Sequence, residues 1–354
     1  MMDNVPTSIE ELTPSWLTAA LSSSGATRRV RDVATQPIGT GQIGSTYRMT
    51  IRYDEADAAA PPVLIAKMAA GDVAARQRVS GGYQKEVGFY SELAATVDVR
   101  TPQCWYSSIS DDNTNFVLLL DDVHPSVPGV QAAGCTRGQA VRGITNLAAL
   151  HAPRWNDAAL LAVPYLPSGG AEAGIFMQAL LSAATEEFVD RYRNRLIAAD
   201  VDTLRESALS MSSWYVTRPA PFTIIHGDYR LDNLMFGLDD VVTALDWQTV
   251  AVGPPCRDLA YFLGTSLEPE LRQLHEHELV VGYHDAVVGR GVSDYDFVDC
   301  YTDYRIGHLQ GPLITVLGCM YATATPSPRS DQMFLAMASR SCAAIRDLKT
   351  LELV

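Results

Sequence analysis

The chain has 354 residues, of which 47% are hydrophobic and 19% charged, with a formal net charge of −14. That length allows two domains or lobes, and no run approaches the roughly 18 uninterrupted apolar residues that would cross a bilayer. No membrane partner is expected, and the acidic balance argues against nucleic acid, whose phosphate backbone needs a basic face.

The N-terminal stretch MMDNVPTSIEELTPSW carries acids where a secretory leader would carry basic residues, so the chain reads as cytoplasmic. Thr13-Pro14 predicts a helix start and Ser24-Gly25 its stop. VRDVATQPIG then reads as a strand leading into GTGQIGS. In STYRMTIRY, Tyr47, Met49, Ile51 and Tyr53 alternate with polar residues, the period of a half-buried strand. PPVLIAKMA is a third strand. GGYQKEVGFYSELAA is helical, because Tyr83, Val87, Tyr90 and Ala94 share one face. QCWYSSIS and FVLLLDDV, separated by the turn DDNTN, complete a five-stranded, largely antiparallel sheet.

Beyond about Val123 the periodicity turns helical, over residues 136–151, 171–208, 257–289 and 296–350 in several pieces, interrupted by short apolar runs around HGDYRLDN and VVTALDWQ. The pattern predicts an α+β fold. Residues 1–122 would form a small sheet lobe with an N-terminal helical extension, and residues 123–354 a larger, mostly helical lobe. Cys104, Cys135, Cys256, Cys300, Cys319 and Cys342 form no CxxC pair and no cluster with histidines, and read as free thiols.

Gly39, Gly41 and Gly44 fit a G-x-G-x-x-G phosphate-binding pattern. The residues that follow alternate as a strand, not a helix, which disfavours the dinucleotide-binding form and favours a glycine loop closing over nucleotide phosphates between two antiparallel strands. A glycine-rich hairpin turn is the plain alternative. Lys67 lies in an otherwise apolar strand, where an unpaired ammonium would cost on the order of several kcal/mol. Glu86 flanks the helix stripe that must face the sheet, whereas Glu92 lies opposite, so Glu86 is the expected partner.

His226, Asp228 and Asn233 form H-x-D-x-x-x-x-N, and Asp246 follows in ALDWQ. Phosphoryl transfer needs a carboxylate to accept a hydroxyl proton and hard oxygen ligands to hold Mg²⁺ on nucleotide phosphates. Asp228 suits the first role, Asn233 and Asp246 the second.

The stretch from IIHGDYRLDNLMF to VVTALDWQTVAVGPPCRDLAYFLGTSL resembles the aminoglycoside phosphotransferase and choline kinase-like superfamily, most of all its ecdysteroid-kinase-like branch. LIAKMA, KEVGFYSEL, FVLLLDDV and LAALHAPRW extend the similarity over most of residues 35–270, with its strongest part at 222–265. The resemblance implies a two-lobed, protein-kinase-like fold that transfers the γ-phosphate of ATP to a hydroxyl of a small molecule. It makes Asp228 the base, Asn233 and Asp246 magnesium ligands, and Lys67 the phosphate lysine with Glu86 as its partner. It makes Asp121 to Val123 the hinge that hydrogen-bonds adenine. Asp258 would brace the catalytic loop, and His226 and His151 would be structural.

Arg230 lies two residues past the base, where protein kinases often carry a lysine that meets the transferring phosphate. It would either neutralise transition-state charge or pair with an acid as a brace. Asp232 is expected to accept backbone hydrogen bonds. Asp296, Asp299 and Asp303 fall on one helical face and would either bind a cationic substrate or form an exposed acidic stripe. His275 and His277, two apart on a helix, diverge and make a poor metal pair.

A protein kinase is disfavoured because only residues 247–257 separate Asp246 from Asp258 and no A-P-E follows, leaving little room for a peptide-docking segment. A nucleotide-binding pseudokinase with a regulatory role is the other alternative. The acceptor stays open among alicyclic alcohols, aminoglycosides, choline-like amines and hydroxyacyl compounds, and GTP is an alternative donor.

Overall fold

In the computed structural model, which describes residues 5–22, 28–38, 44–55, 59–323 and 326–354, the chain divides into two units. One comprises Met1–Ala95, Thr101–His124 and Asp246–Gln248, the other Thr96–Arg100, Pro125–Leu245 and Thr249–Val354.

In the first unit, Pro14 opens helix α1 (Pro14–Ser22), and Thr13 Oγ1 accepts the N–H of Trp16 at 3.3 Å, capping it. The expected stop at Ser24-Gly25 lies outside the described residues. Strands β1 (Val30–Ile38), β2 (Gly44–Tyr53), β3 (Val63–Ala69), β4 (Cys104–Ile109) and β5 (Phe116–Asp121) pair antiparallel in the order β1-β2-β3-β5-β4. Leu64, Ala66 and Met68 of β3 are buried with Met49, Ile51, Val117, Leu119 and the α1 residues Leu17 and Leu21 in one core. Each fully buried large side chain there stabilises the unit by roughly 1.5–3 kcal/mol. The two-residue period of the strand puts Lys67 on the opposite face.

Helix α2 (Val73–Gly88) starts eight residues before the expected segment, at Val73 and not Gly81. Asp72 explains this: its side chain accepts the N–H of Ala75 at 2.8 Å and nucleates the turn. The segment Val73–Ser80 buries no residue, so no periodicity marked it. The helix runs on through a π turn at Phe89–Leu93 and a 3₁₀ turn at Ala94–Thr96.

The second unit is mainly helical. Its strands β6 (Val127–Pro128), β7 (Thr223–Ile225), β8 (Leu234–Phe236), β9 (Val242–Ala244) and β10 (Ala251–Gly253) form two small sheets, β6-β8-β9 and β10-β7. Residues 226–233 are the loop between β7 and β8, so both its ends are tied to sheet hydrogen bonds. The helices are α3 (Arg137–His151), α4 (Ala171–Arg191), α5 (Ala198–Leu209), α6 (Met211–Val216), α7 (Cys256–Ser266), α8 (Pro269–Val288), α9 (Phe297–Gly307), α10 (Gln310–Leu317) and α11 (Pro328–Asp347). The helical stretch expected over 257–289 breaks between α7 and α8, where Pro269 takes the first helical position. Phe188, Leu204, Trp214, Leu313, Met337 and Ile345 join α4, α5, α6, α10 and α11 in a common core.

Helix α7 is buried continuously from Asp258 to Ser266, its polar residues included. No described helix is long and apolar enough to cross a membrane. The architecture is α+β, a five-stranded antiparallel sheet followed by a helical region, as the sequence pattern predicts.

Candidate active site

In the first unit, Lys67 Nζ donates to Glu86 Oε1 at 2.7 Å and to Asp246 Oδ1 at 2.9 Å. Gln248 Nε2 donates to Glu86 Oε2 at 3.2 Å. Burial alone would push the Lys67 ammonium down, but the charges of Asp246 and Glu86 outweigh it and hold the lysine above its usual range. Burial pushes Glu86 up, against the pull of Lys67. Asp246 reaches this cluster through a left-handed backbone, φ +66°, a region aspartate tolerates better than most residues. Next to it Trp247 is fully buried and stacks on Phe89, with ring centroids 3.6 Å apart and planes 7° from parallel. That stack anchors Asp246–Gln248 to the π turn that continues helix α2, which is why three residues from late in the chain belong with the sheet.

Gly39 and Gly41 lie outside the described residues. Gly44 opens β2, where a Cβ would fall 3.0 Å from the Met68 carbonyl oxygen and 3.7 Å from Lys67 Cε, so its lack of a side chain lets the strand pass beside the lysine. At the end of β5, Trp105 Nε1 donates to Asp121 Oδ1 at 2.6 Å. Asp122 pairs with Arg48 at 2.8 Å and accepts the N–H of His124 at 3.1 Å. These contacts hold the Asp121 to Val123 segment. A cavity beside it is lined by Pro62, Val63, Trp105, Asp121, Asp122 and His124 and includes neither Lys67 nor Glu86.

In the second unit, the loop 226–233 is held from several sides. Asp258, fully buried on α7, accepts the N–H of His226 at 2.6 Å and that of Gly227 at 2.9 Å, one on each carboxylate oxygen. Behind it, His151 places Nε2 at 3.4 Å from Asp258 and Nδ1 at 2.7 Å from the Tyr283 hydroxyl. Burial pushes His151 down, with Asp258 pulling the other way. Gly227 has φ +82°, and a Cβ there would lie 2.5 Å from the carbonyl oxygen of Thr249, so only glycine fits. His226 donates from Nε2 to the Leu245 carbonyl at 2.9 Å and accepts the N–H of Asp228 on Nδ1 at 3.3 Å. Both ring nitrogens engage backbone groups of the loop and its neighbour.

The Asp228 carboxylate receives three donors. Tyr261 O–H meets Oδ1 at 2.6 Å, while Arg230 Nε and Asn233 Nδ2 meet Oδ2 at 3.1 Å and 3.0 Å. Asn233 Nδ2 also donates to the Asp228 carbonyl at 2.9 Å, which leaves Oδ1 of Asn233 as that side chain's remaining polar atom. Arg230 extends to Asp232 Oδ2 at 2.8 Å. Asp232 Oδ1 in turn accepts the N–H of Gln131 at 2.8 Å, and Gln131 Oε1 accepts the N–H of Leu231 at 2.8 Å. The Asp228 and Asp232 charges hold the partly buried Arg230 guanidinium fully charged, against the effect of burial.

Asn233 belongs to the second unit and Asp246 to the first. Among the described residues no group of three or more His, Cys, Asp or Glu side chains could hold a metal ion by itself. The amide oxygen of Asn233 and the carboxylate of Asp246 are nonetheless the hard oxygen donors that magnesium takes.

The acidic stripe finds partners of its own. Asp296 caps α9 by accepting the N–H of Asp299 at 2.8 Å, and Asp299 pairs with Arg218 at 2.8 Å. Asp303 is buried, pairs with the same arginine, and accepts Tyr295 O–H at 2.9 Å. His277 packs edge-on against Phe297, and His275 lies 3.8 Å from Glu278.

Sequence reasoning passed over Tyr261, Gln131, Gln248 and Trp247. For Tyr261 a signal existed, because it lies three residues after Asp258 on one helix, and that spacing puts both on the same face. Gln131 sits in a loop with no periodicity, and its role depends on a hydrogen bond to residues a hundred positions away.

The fold is similar to that of wild-type aminoglycoside 2'-phosphotransferase-IIIa in its GDP complex, with a TM-score of 0.54, 16% identity, and coverage of 93% of this chain and 98% of that one. It is similar to choline kinase from Cryptosporidium parvum, with a TM-score of 0.52, 11% identity, and coverage of 90% and 91%. Ethanolamine kinase from Plasmodium vivax gives a TM-score of 0.52, 10% identity, and coverage of 90% and 83%. At such identities the likeness is one of fold alone.

Two curated relatives share short segments. Acyl-CoA dehydrogenase family member 10 from Mus musculus is 36% identical over 72 residues, 18% of this chain and 7% of that protein. Acyl-CoA dehydrogenase family member 11 from Homo sapiens is 46% identical over 41 residues, 11% of this chain and 5% of that protein. The matched segments thus span only a small part of those relatives' length. The ecdysteroid kinase-like family, by contrast, matches residues 41–290, and the chain belongs to that family.

Proposed function

We propose that the protein is an ATP- and Mg²⁺-dependent O-phosphotransferase that transfers a γ-phosphate to a hydroxyl of a small molecule. The observation that carries this reading is the Asp228 carboxylate, partly exposed and held by Tyr261, Arg230 and Asn233 in an H-x-D-x-x-x-x-N loop. Family membership, and a fold shared with aminoglycoside, choline and ethanolamine kinases, supports a phosphotransferase with a small acceptor.

In this mechanism Asp228 orients the acceptor hydroxyl and takes its proton as the oxygen attacks the γ-phosphorus in line. Lys67, kept charged by Glu86 and Asp246, holds the donor phosphates, and Gly39, Gly41 and Gly44 are assigned to the same phosphate-binding role. Asp121 to Val123 contributes the backbone groups that read adenine. Asn233 and Asp246 would hold magnesium, whose charge neutralises the phosphate oxygens. Asp258 and His226 keep the loop in shape through the backbone contacts described above. We assign Arg230 to holding Asp228 and Asp232, the two carboxylates with which it pairs.

The lobes implied are residues 1–122 for the nucleotide and 123–354 for catalysis and acceptor binding. Asp296, Asp299 and Asp303 are assigned to local structure, because capping and Arg218 already engage them. Six free cysteines fit a reducing, cytoplasmic setting.

The test is a phosphotransfer screen over a library of hydroxyl compounds with ATP and, separately, GTP. Transfer is read as the mass gain of one phosphate, with Asp228→Asn as the control. Transfer to peptide serine or threonine and not to small alcohols would favour a protein kinase. Nucleotide binding without transfer to any acceptor would favour a pseudokinase.

A further inference from the structure

The three donors on Asp228 are unevenly shared. A carboxylate oxygen offers about two lone-pair sites. Oδ2 receives two donors, Arg230 Nε at 3.1 Å and Asn233 Nδ2 at 3.0 Å. Oδ1 receives, among the described residues of this unit, one hydrogen bond, from Tyr261 at 2.6 Å. That distance is in the range of charge-assisted O–H···O⁻ bonds, roughly twice as strong as neutral ones. Tyr261 is fully buried, and helix α7 carries it. The same helix carries Asp258, which grips the backbone of the same loop at His226 and Gly227. One rigid, buried element therefore sets both the path of the loop and the rotation of its carboxylate.

We propose that Tyr261 is a positioning residue for phosphoryl transfer: its hydroxyl turns and locks the Asp228 carboxylate so that Oδ1 is the oxygen that meets the acceptor. This rests on the reading of Asp228 as the base. The acceptor's O–H bond breaks and its proton passes to Oδ1. The freed oxygen pair forms the new bond to the γ-phosphorus, and the bond from phosphorus to the bridging oxygen breaks, releasing ADP. Tyr261 keeps its own proton throughout. Burial, and then the neighbouring Asp228 charge, hold its hydroxyl well above the usual tyrosine range. Without that hydroxyl, Asp228 keeps donors on one oxygen only and can rotate about its Cβ–Cγ bond, which lowers the fraction of time it presents the reactive geometry.

The variant that tests this is Tyr261→Phe, which keeps the ring in its buried seat and removes one oxygen. The assay is MgATP hydrolysis, with water in the acceptor's place, together with transfer to any acceptor identified. The expected result is a fall in kcat of about 10- to 100-fold, the value of a hydrogen bond to a charged group. The KM for ATP should stay unchanged, and the loss of kcat should persist per folded molecule whatever the fall in the melting midpoint. A merely structural role would lower the melting midpoint and leave kcat per folded molecule alone, and that outcome, or a wild-type kcat, overturns the proposal.

A second measurement does not need turnover. With tyrosine labelled at the ring carbon that bears the hydroxyl, the ¹³C signal missing in Tyr261→Phe is that of Tyr261, and in Asp228→Asn it should shift. If it stays in place, the contact does not exist in solution and the proposal fails. A shifted signal in a protein that transfers phosphate to nothing would support the Tyr261–Asp228 geometry while sinking the kinase reading itself.

Discussion

Asp258 holds the N–H of Gly227 at 2.9 Å with one carboxylate oxygen while the other takes the N–H of His226 at 2.6 Å, all within a fully buried setting. This single side chain supplies two acceptors to a backbone bend that φ +82° at Gly227 makes sharp. Asp258→Asn replaces one acceptor oxygen with a donor facing an N–H. A buried donor left unpaired costs about 1–3 kcal/mol, so the urea midpoint should fall by that equivalent with an unchanged slope, and turnover should fall with it. An unchanged midpoint would show that the loop does not depend on this brace.

Lys67 stands between two carboxylates, one of them, Glu86, almost fully buried. Lys67→Met would leave Glu86 without its cation, and breaking a buried pair from one side destabilises by about 3–5 kcal/mol. Adding Glu86→Leu to the same protein should recover much of that loss, because the stranded charge is gone. Both variants should lose kcat/KM for ATP by about 10²-fold or more. Urea unfolding of the two proteins separates the structural effect from the catalytic one. No recovery in the double variant would contradict the pairing account.

Much of this was legible in the sequence, and the failures have physical causes. The five strands, the pairing of Lys67 with Glu86 and the exposure of Glu92 all follow from two-residue and helical periods, which are local properties. The start of α2 is not marked by periodicity, because Asp72 sets it through a cap and the turn it nucleates is exposed and carries no apolar signal. The attachment of Asp246–Gln248 to the sheet was not readable either. It depends on Trp247 stacking on Phe89, a contact between residues far apart in the chain. The ambiguity of Asp296, Asp299 and Asp303 came from the same source. A stripe of acids looks the same in sequence whether solvated or paired, and Arg218, which pairs two of them, lies in a different segment.

The buried histidines set an acid limit on stability. Burial holds His308 well below its ordinary value, with the nearby Arg272 charge adding to the effect, and burial holds His151 down as well. Above about pH 6.5, the value for an exposed histidine, both states are neutral and the full stability is present. As the pH falls from there towards the depressed folded values, the unfolded chain binds protons that the native one does not, and stability is lost. Each histidine contributes a slope of about 1.4 kcal/mol per pH unit in that window. His308→Gln should therefore show a shallower fall in unfolding free energy than the wild type between pH 6.5 and 5.5, by about that slope. Parallel curves would mean that His308 is protonated in the folded protein.

The central claim is that Asp228 is the residue on which phosphoryl transfer turns, and Asp228→Asn tests it most directly. The substitution keeps the shape of the side chain and removes its capacity to take a proton. Single-turnover transfer and calorimetric ATP binding should be measured side by side on wild type and variant. The account predicts a loss in the transfer rate of about 10²- to 10⁴-fold, with ATP binding nearly unchanged. Transfer at the wild-type rate by Asp228→Asn would contradict it.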